Sequence, residues 1–102
     1  MELKPGSRWR SAVCDAEIVI VKPPKAAVSL ECGGRPVQPH SQAREAGLAP
    51  SPDHTGGTLL GKRYVDDETG LEALCSKTGA GSLSVDGRPL GLKEAKKLPS
   101  SD

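Results

Sequence analysis

At 102 residues the chain has the size of one domain. Only 35% of it is hydrophobic, with no Phe, one Trp and one Tyr, so Leu, Val and Ala must build a modest core that gains from a partner, a metal or self-association. Fourteen Lys and Arg are interspersed with thirteen Asp and Glu, which excludes a basic stripe for nucleic acid, and no segment is long and apolar enough for a membrane span.

Residues 9–13 are a candidate strand, and residues 17–21 (Glu-Ile-Val-Ile-Val) a stronger one. Four successive β-branched side chains fit a strand buried on both faces and would lose rotamer freedom in a helix. Pro23 and Pro24 end it, because proline has no N–H for a ladder. Residues 27–32 form the next strand and lead into Gly33-Gly34, a favoured pair for a two-residue hairpin turn. In such a hairpin Cys32 and Arg35 form a hydrogen-bonded pair, and Glu31 faces Pro36 in a non-hydrogen-bonded one. Pro36 therefore marks a return strand that ends there or lies at a sheet edge.

Residues 38–58 read as a long irregular loop, interrupted by Pro39, Pro50, Pro52, Gly56 and Gly57. Inside it, residues 41–47 predict one short helical turn, with Ser41 as N-cap and Gly47 just past the end. Loops of this length often serve binding. Residues 63–65 and 71–75 then flank Asp66-Asp67-Glu68-Thr69-Gly70, a polar hairpin loop. Residues 82–85 and 89–92 flank Asp86-Gly87, a second tight turn, with Pro89 placed as Pro36 is. Residues 93–98 predict a terminal helical turn before Pro99.

The chain repeats itself. Ser29-Leu30-Glu31-Cys32-Gly33-Gly34-Arg35-Pro36-Val37 returns as Ser82-Leu83-Ser84-Val85-Asp86-Gly87-Arg88-Pro89-Leu90. A Gly-x-Arg-aromatic run (Gly6 to Trp9, Gly61 to Tyr64) and an apolar-Cys pair (Val13-Cys14, Leu74-Cys75) precede each copy. The expected fold is all-β. Two hairpin-rich units, about 8–37 and 59–92, pack as a small sandwich or partly open barrel in a single domain over 1–102.

Two apparent motifs dissolve in context. Residues 56–62 have phosphate-loop spacing, but Arg63 replaces the required Ser or Thr, a proline-rich stretch replaces the preceding strand, and no helix follows. Asp66, Asp67 and Glu68 lack the alternating spacing of a calcium loop and read as a solvated turn.

Around the cysteines stand Trp9-Arg10-Ser11-Ala12-Val13-Cys14 and Leu30-Glu31-Cys32-Gly33-Gly34. Residues 8–37 thereby resemble desulforedoxin and the N-terminal domain of desulfoferrodoxin, small β modules that hold iron through an aromatic-x-Cys-x-x-Cys run and a later Cys-Cys-Gly. Ser11 and Gly33 stand at two of the four ligand positions. The resemblance implies a degenerate module that binds zinc or iron through Cys14, Cys32 and Cys75, with His40 or His54 as a fourth ligand and Cys75 at the position equivalent to Cys14 in the second copy. The alternative is no cofactor, with three small buried hydrophobes.

Trp9, Arg35, Tyr64 and Arg88 recur at matched positions and have the chemistry of interface anchors; structurally, each arginine could instead cross its strand pair and stack on an aromatic. The leading expectation is a non-catalytic module that binds a partner protein or a second copy of itself, through an exposed β surface or the central loop. The metal module ranks second and a cysteine-dependent enzyme third, because no Cys-His pair is fixed by the sequence. The N-terminus lacks an apolar signal segment and the cysteine count is odd, so the expected setting is cytoplasmic.

Overall fold

The computed structural model describes residues 2–45 and 47–93. Among these residues ten short strands form two antiparallel sheets: β1 (Arg8–Arg10), β2 (Glu17–Lys22), β3 (Leu30–Cys32), β4 (Arg35–Pro36), β5 (Gln38–Pro39), β6 (Arg63–Val65), β7 (Glu72–Lys77), β8 (Leu83–Val85), β9 (Arg88–Pro89) and β10 (Gly91–Leu92). One sheet runs β10-β6-β7-β2-β1-β5 and the other β4-β3-β8-β9. The all-β expectation holds. No helix among the described residues is long and apolar enough to cross a membrane.

The repeat is folded into the sheets as a pseudo-two-fold. Within the larger sheet the copies are offset by 55 positions, Arg8 pairing with Val19 as Arg63 pairs with Leu74. From the smaller sheet onward the offset is 53, Cys32 pairing with Arg35 as Val85 pairs with Arg88. The two central contacts are self-complementary. β2 meets β7 with Val19 opposite Leu74, and β3 meets β8 with Glu31 opposite Ser84, each being its own equivalent in the other copy. That is the geometry of an isologous dimer interface, here closed within one chain. The copies are thus not one per layer, since each gives strands to both sheets.

Local chemistry explains the corners. Gly33 and Gly34 have φ of 66° and 87°, and Asp86 and Gly87 have 48° and 84°, as the paired positive φ values of the expected turns require. Pro36 and Pro89 lie in β4 and β9, the outer strands of the smaller sheet. After them the chain crosses to the larger sheet at Val37 and Leu90, so residues 89–92 are two strands in different sheets rather than one.

Between the layers lie Ile18, Ile20, Leu30, Val37, Leu71, Ala73, Leu83 and Val85, with Leu30, Leu71, Ala73 and Val85 fully enclosed. β2 alternates: Ile18 and Ile20 are buried while Val19 and Val21 are half-buried, which corrects the expectation of two fully buried faces. The first strand covers only Arg8–Arg10, because residues 11–15 turn back on the Ser11 hydroxyl.

The central loop carries more structure than its prolines suggest. β5 pairs with β1, and Pro52–His54 forms one 3₁₀ turn. No helix occupies the described part of 41–47; the Gln38 side chain instead donates to the Gln42 carbonyl at 2.8 Å. The terminal turn expected over 93–98 lies, from residue 94 on, outside the described residues.

Buried carboxylates tie the second copy together. Asp66, expected in a solvated turn, is buried; it accepts hydrogen bonds from Thr69 Oγ1 at 2.6 Å and Arg88 at 3.1 Å. Glu72 is buried against Lys93 at 2.8 Å and Arg63 at 3.3 Å. The Thr69 hydroxyl, aided by Arg88, holds Asp66 below its ordinary range against the opposing effect of burial, and Lys93 does the same for Glu72. A lowered folded-state pKa favours folding in full above the unfolded value and loses that contribution as pH falls through the folded one. Stability is therefore expected to decline below about pH 4. Urea unfolding across pH should show a flatter decline in Asp66→Asn; an unchanged slope would remove Asp66 from the account.

Candidate functional site

Two places stand out when the copies are compared position by position, since each copy is a structural control for the other.

The first is a pair of thiols. The turn after β1 is closed by Ser11, whose Oγ accepts the N–H groups of Val13 and Cys14, both at 3.1 Å. This aims Cys14 at Cys32 on β3, with the sulfurs 3.9 Å apart. Residues 78–81 strap the pair down: Thr58 and Gly79 exchange backbone hydrogen bonds of 2.9 and 3.2 Å, and Gly81 N–H donates to Cys14 Sγ at 3.4 Å. Gly81 can approach because it has no side chain. A Cβ there would sit 3.2 Å from Cys32 Sγ and 2.9 Å from the Gly33 backbone.

The two sulfurs divide their roles. The hydrogen bond from Cys32 brings Cys14 down to about 5; burial opposes this, and Ser11 with the backbone at Ala16 and Gly81 assists. Cys32 is pushed up by Cys14 and by its own burial. The two thiols thus titrate as a coupled pair in which Cys14 is favoured to lose its proton first.

Cys75 stands apart. The offset of 55 makes it the equivalent of Ile20 rather than of Cys14, whose true counterpart is Thr69. Its thiol donates to the Lys77 carbonyl at 3.1 Å, and burial pushes its pKa up. All three cysteines are buried, as the simple packing alternative expected.

The metal expectation was Cys14, Cys32 and Cys75 with a histidine. His40 instead meets Glu17 at 2.7 Å, and the His54 ring lies against the Gly34 backbone. Among the described residues no three His, Cys, Asp or Glu side chains gather at metal-binding distances. Two thiols and the Ser11 hydroxyl fall short of a tetrahedral zinc or iron site, so this donor set does not fit either metal.

The second place is a groove of about 310 Å³ lined by Leu59, Tyr64, Leu83, Pro89, Leu90 and Leu92 among others. Leu59, Leu60 and Leu92 are the large hydrophobic side chains left exposed among the described residues, at 52%, 65% and 50%. All three belong to the second copy. The same positions in the first copy hold Lys4, Pro5 and Pro39.

That substitution also changes the sheet edge. His40 N–H donates to Arg8 and Lys93 N–H to Arg63, so the N–H of the preceding residue points away from the sheet in both copies. Proline at 39 removes that outward donor. Leu92 keeps it. Among the described residues no strand lies beyond β10.

The four recurring residues take different parts. Trp9 packs on the core and donates to Ser7 Oγ at 3.0 Å, and Tyr64 is buried with its hydroxyl accepting the Leu59 N–H at 2.9 Å. Arg88 reaches Asp66 and Glu68 across the layers rather than stacking on an aromatic. Arg35 is exposed, with Ser11 standing where its copy finds Asp66. Sequence reasoning passed over Leu59, Leu60, Leu92, Thr58 and Gly81. The leucines were findable, because aligning the Gly-x-Arg-aromatic runs sets Leu59 and Leu60 against Lys4 and Pro5. The search of protein-family models, of curated proteins and of solved structures found no match to this chain.

Proposed function

We propose that the protein is a non-catalytic interaction module that binds an extended segment of a partner protein along β10 and the adjoining leucine groove. The observation that carries this is the asymmetry of the repeat. The fold tolerates Lys4, Pro5 and Pro39 at these positions in one copy, so exposed Leu59, Leu60 and Leu92 are not needed to build it. An outward N–H beside an apolar groove suits strand addition, where main-chain hydrogen bonds give affinity and alternate side chains fill the groove. Lys62, Arg63 and Lys93 flank the groove in sequence, and among the described residues Glu72 is the carboxylate paired with the last two. The excess of positive charge favours a partner segment with acidic residues beside its apolar ones. The setting proposed is cytoplasmic, in keeping with an odd number of cysteines.

Leu59→Lys with Leu92→Pro imports the first copy's residues, so melting should shift by no more than a surface change does, about 0.5 kcal/mol. Affinity purification from the native cells, quantified by mass spectrometry, should show a partner retained by the wild type and lost at least tenfold by the variant. Equal retention by both proteins, or a wild type that retains nothing and sediments as a monomer, overturns the reading. A concentration-dependent dimer abolished by the variant would transfer the surface to a second copy of the chain.

The convergence of Ser11, Cys14, Cys32 and Gly33 also supports descent from a desulforedoxin-like module that has lost two ligands. In that reading the thiol pair is what the ancestral site left behind.

A further inference from the structure

We infer that Cys14 and Cys32 are a reversible dithiol–disulfide pair, which closes within the chain when it meets a small-molecule disulfide. The sulfurs are 3.9 Å apart, so forming a bond of about 2.05 Å requires each to move by about 1 Å. Their surroundings set the order of events. Cys14 is the less enclosed of the two, at 8% exposure, and the hydrogen bond with Cys32 lowers its pKa; Cys32 is 1% exposed and is pushed up.

The chemistry balances without a metal or further cofactor. Cys14 Sγ attacks one sulfur of the small disulfide, breaks its S–S bond, and releases one small thiolate. That thiolate takes up the Cys32 proton. Cys32 then attacks Cys14 Sγ, forms the internal bond and expels the second small thiolate, which is protonated by water. Two protein thiols are oxidised, and one small disulfide is reduced to two thiols.

Packing does not explain the pair. Thr69 and Val85 occupy the same two positions in the second copy, where the fold is equally well formed without sulfur. Cys75 is no competitor, since its thiol is turned to the Lys77 carbonyl. Closure would staple the turn after β1 in the larger sheet to β3 in the smaller one, across 18 residues of chain.

Oxidised glutathione added to the folded, reduced protein tests this by intact mass and peptide mapping. The expected product is monomeric, lighter by two hydrogens, cross-linked between Cys14 and Cys32, with Cys75 free. Its melting temperature should rise by on the order of 10 °C. Cys32→Val, borrowing the second copy's residue, should stop at one glutathione on Cys14, whereas Cys14→Thr should gain neither adduct nor cross-link at Cys32. Three free thiols after treatment of the wild type, an adduct on Cys75 alone, or a disulfide between molecules each overturns the inference. Should either variant fail to fold, alkylation of the wild type near pH 6 decides: Cys14 must react first.

Discussion

Replacing Gly79 with Ala is expected to lower the melting temperature by on the order of 15 °C, equivalent to about 3 kcal/mol. A Cβ at this position would lie 2.4 Å from the Ala16 nitrogen, 2.7 Å from its Cβ and 2.9 Å from its Cα. Two of those atoms are backbone, so no side chain can swing aside. Nor can the strap retreat, because Gly79 exchanges two backbone hydrogen bonds with Thr58 and Thr78 Oγ1 adds a third to the same residue at 2.6 Å. Relief must come by breaking those bonds or by prising residues 78–81 off the Ser11 turn. Gly91→Ala is the control, since its Cβ meets nothing within 4 Å. Thermal melts in which both variants match the wild type would show that the strap does not pack as closely as described.

Leu30→Ala should cost about 3 kcal/mol, within the usual range for a buried leucine. Leu30 has no exposure and stands at the centre of the smaller sheet, paired with Val85 across the pseudo-dyad. A core without Phe has few large side chains to collapse into the gap, and the dyad puts Leu83 in the matching position on the other side. The loss should appear in urea as a lower midpoint with an unchanged slope, since the same surface is exposed on unfolding. A shift worth less than about 1 kcal/mol would place the core elsewhere.

What the sequence made legible is what local chemistry decides. Gly33-Gly34 and Asp86-Gly87 announce their turns because so few residue pairs take positive φ twice. Pro36 and Pro89 announce sheet edges because a missing N–H has few tolerable places. The interleaving of the two copies was not legible, because the choice between pairing within and between repeats is made by contacts far apart in the chain. β5 escaped notice for a similar reason: two residues, one of them proline, become a strand only because β1 lies beside them.

The cysteines show both outcomes. Cys14 and Cys32, far apart in the chain, come to lie 3.9 Å apart, yet Cys75 was matched to the wrong partner. The pairs Val13-Cys14 and Leu74-Cys75 look alike as dipeptides, while the strand register equates Cys75 with Ile20. Asp66 reads as solvated because its neighbours Asp67 and Glu68 are exposed, and Arg88, its partner, is 22 residues away.

The pseudo-dyad has a kinetic side. The middle of both sheets is made by strands from opposite halves, Val19 against Leu74 and Glu31 against Ser84, so neither sheet has a centre until distant segments have met. Contacts so remote in sequence slow the search for the native pairing. Residues 40–57 act in this search as a tether. Its length enters the closure entropy only logarithmically, at about 0.6 kcal/mol per doubling. The two halves therefore behave as dimer subunits kept at a high local concentration, and the tether's sequence is constrained chiefly where it touches them, at His40 on Glu17, Arg44 on Asp15 and residues 50–54 on the Gly33-Gly34 hairpin.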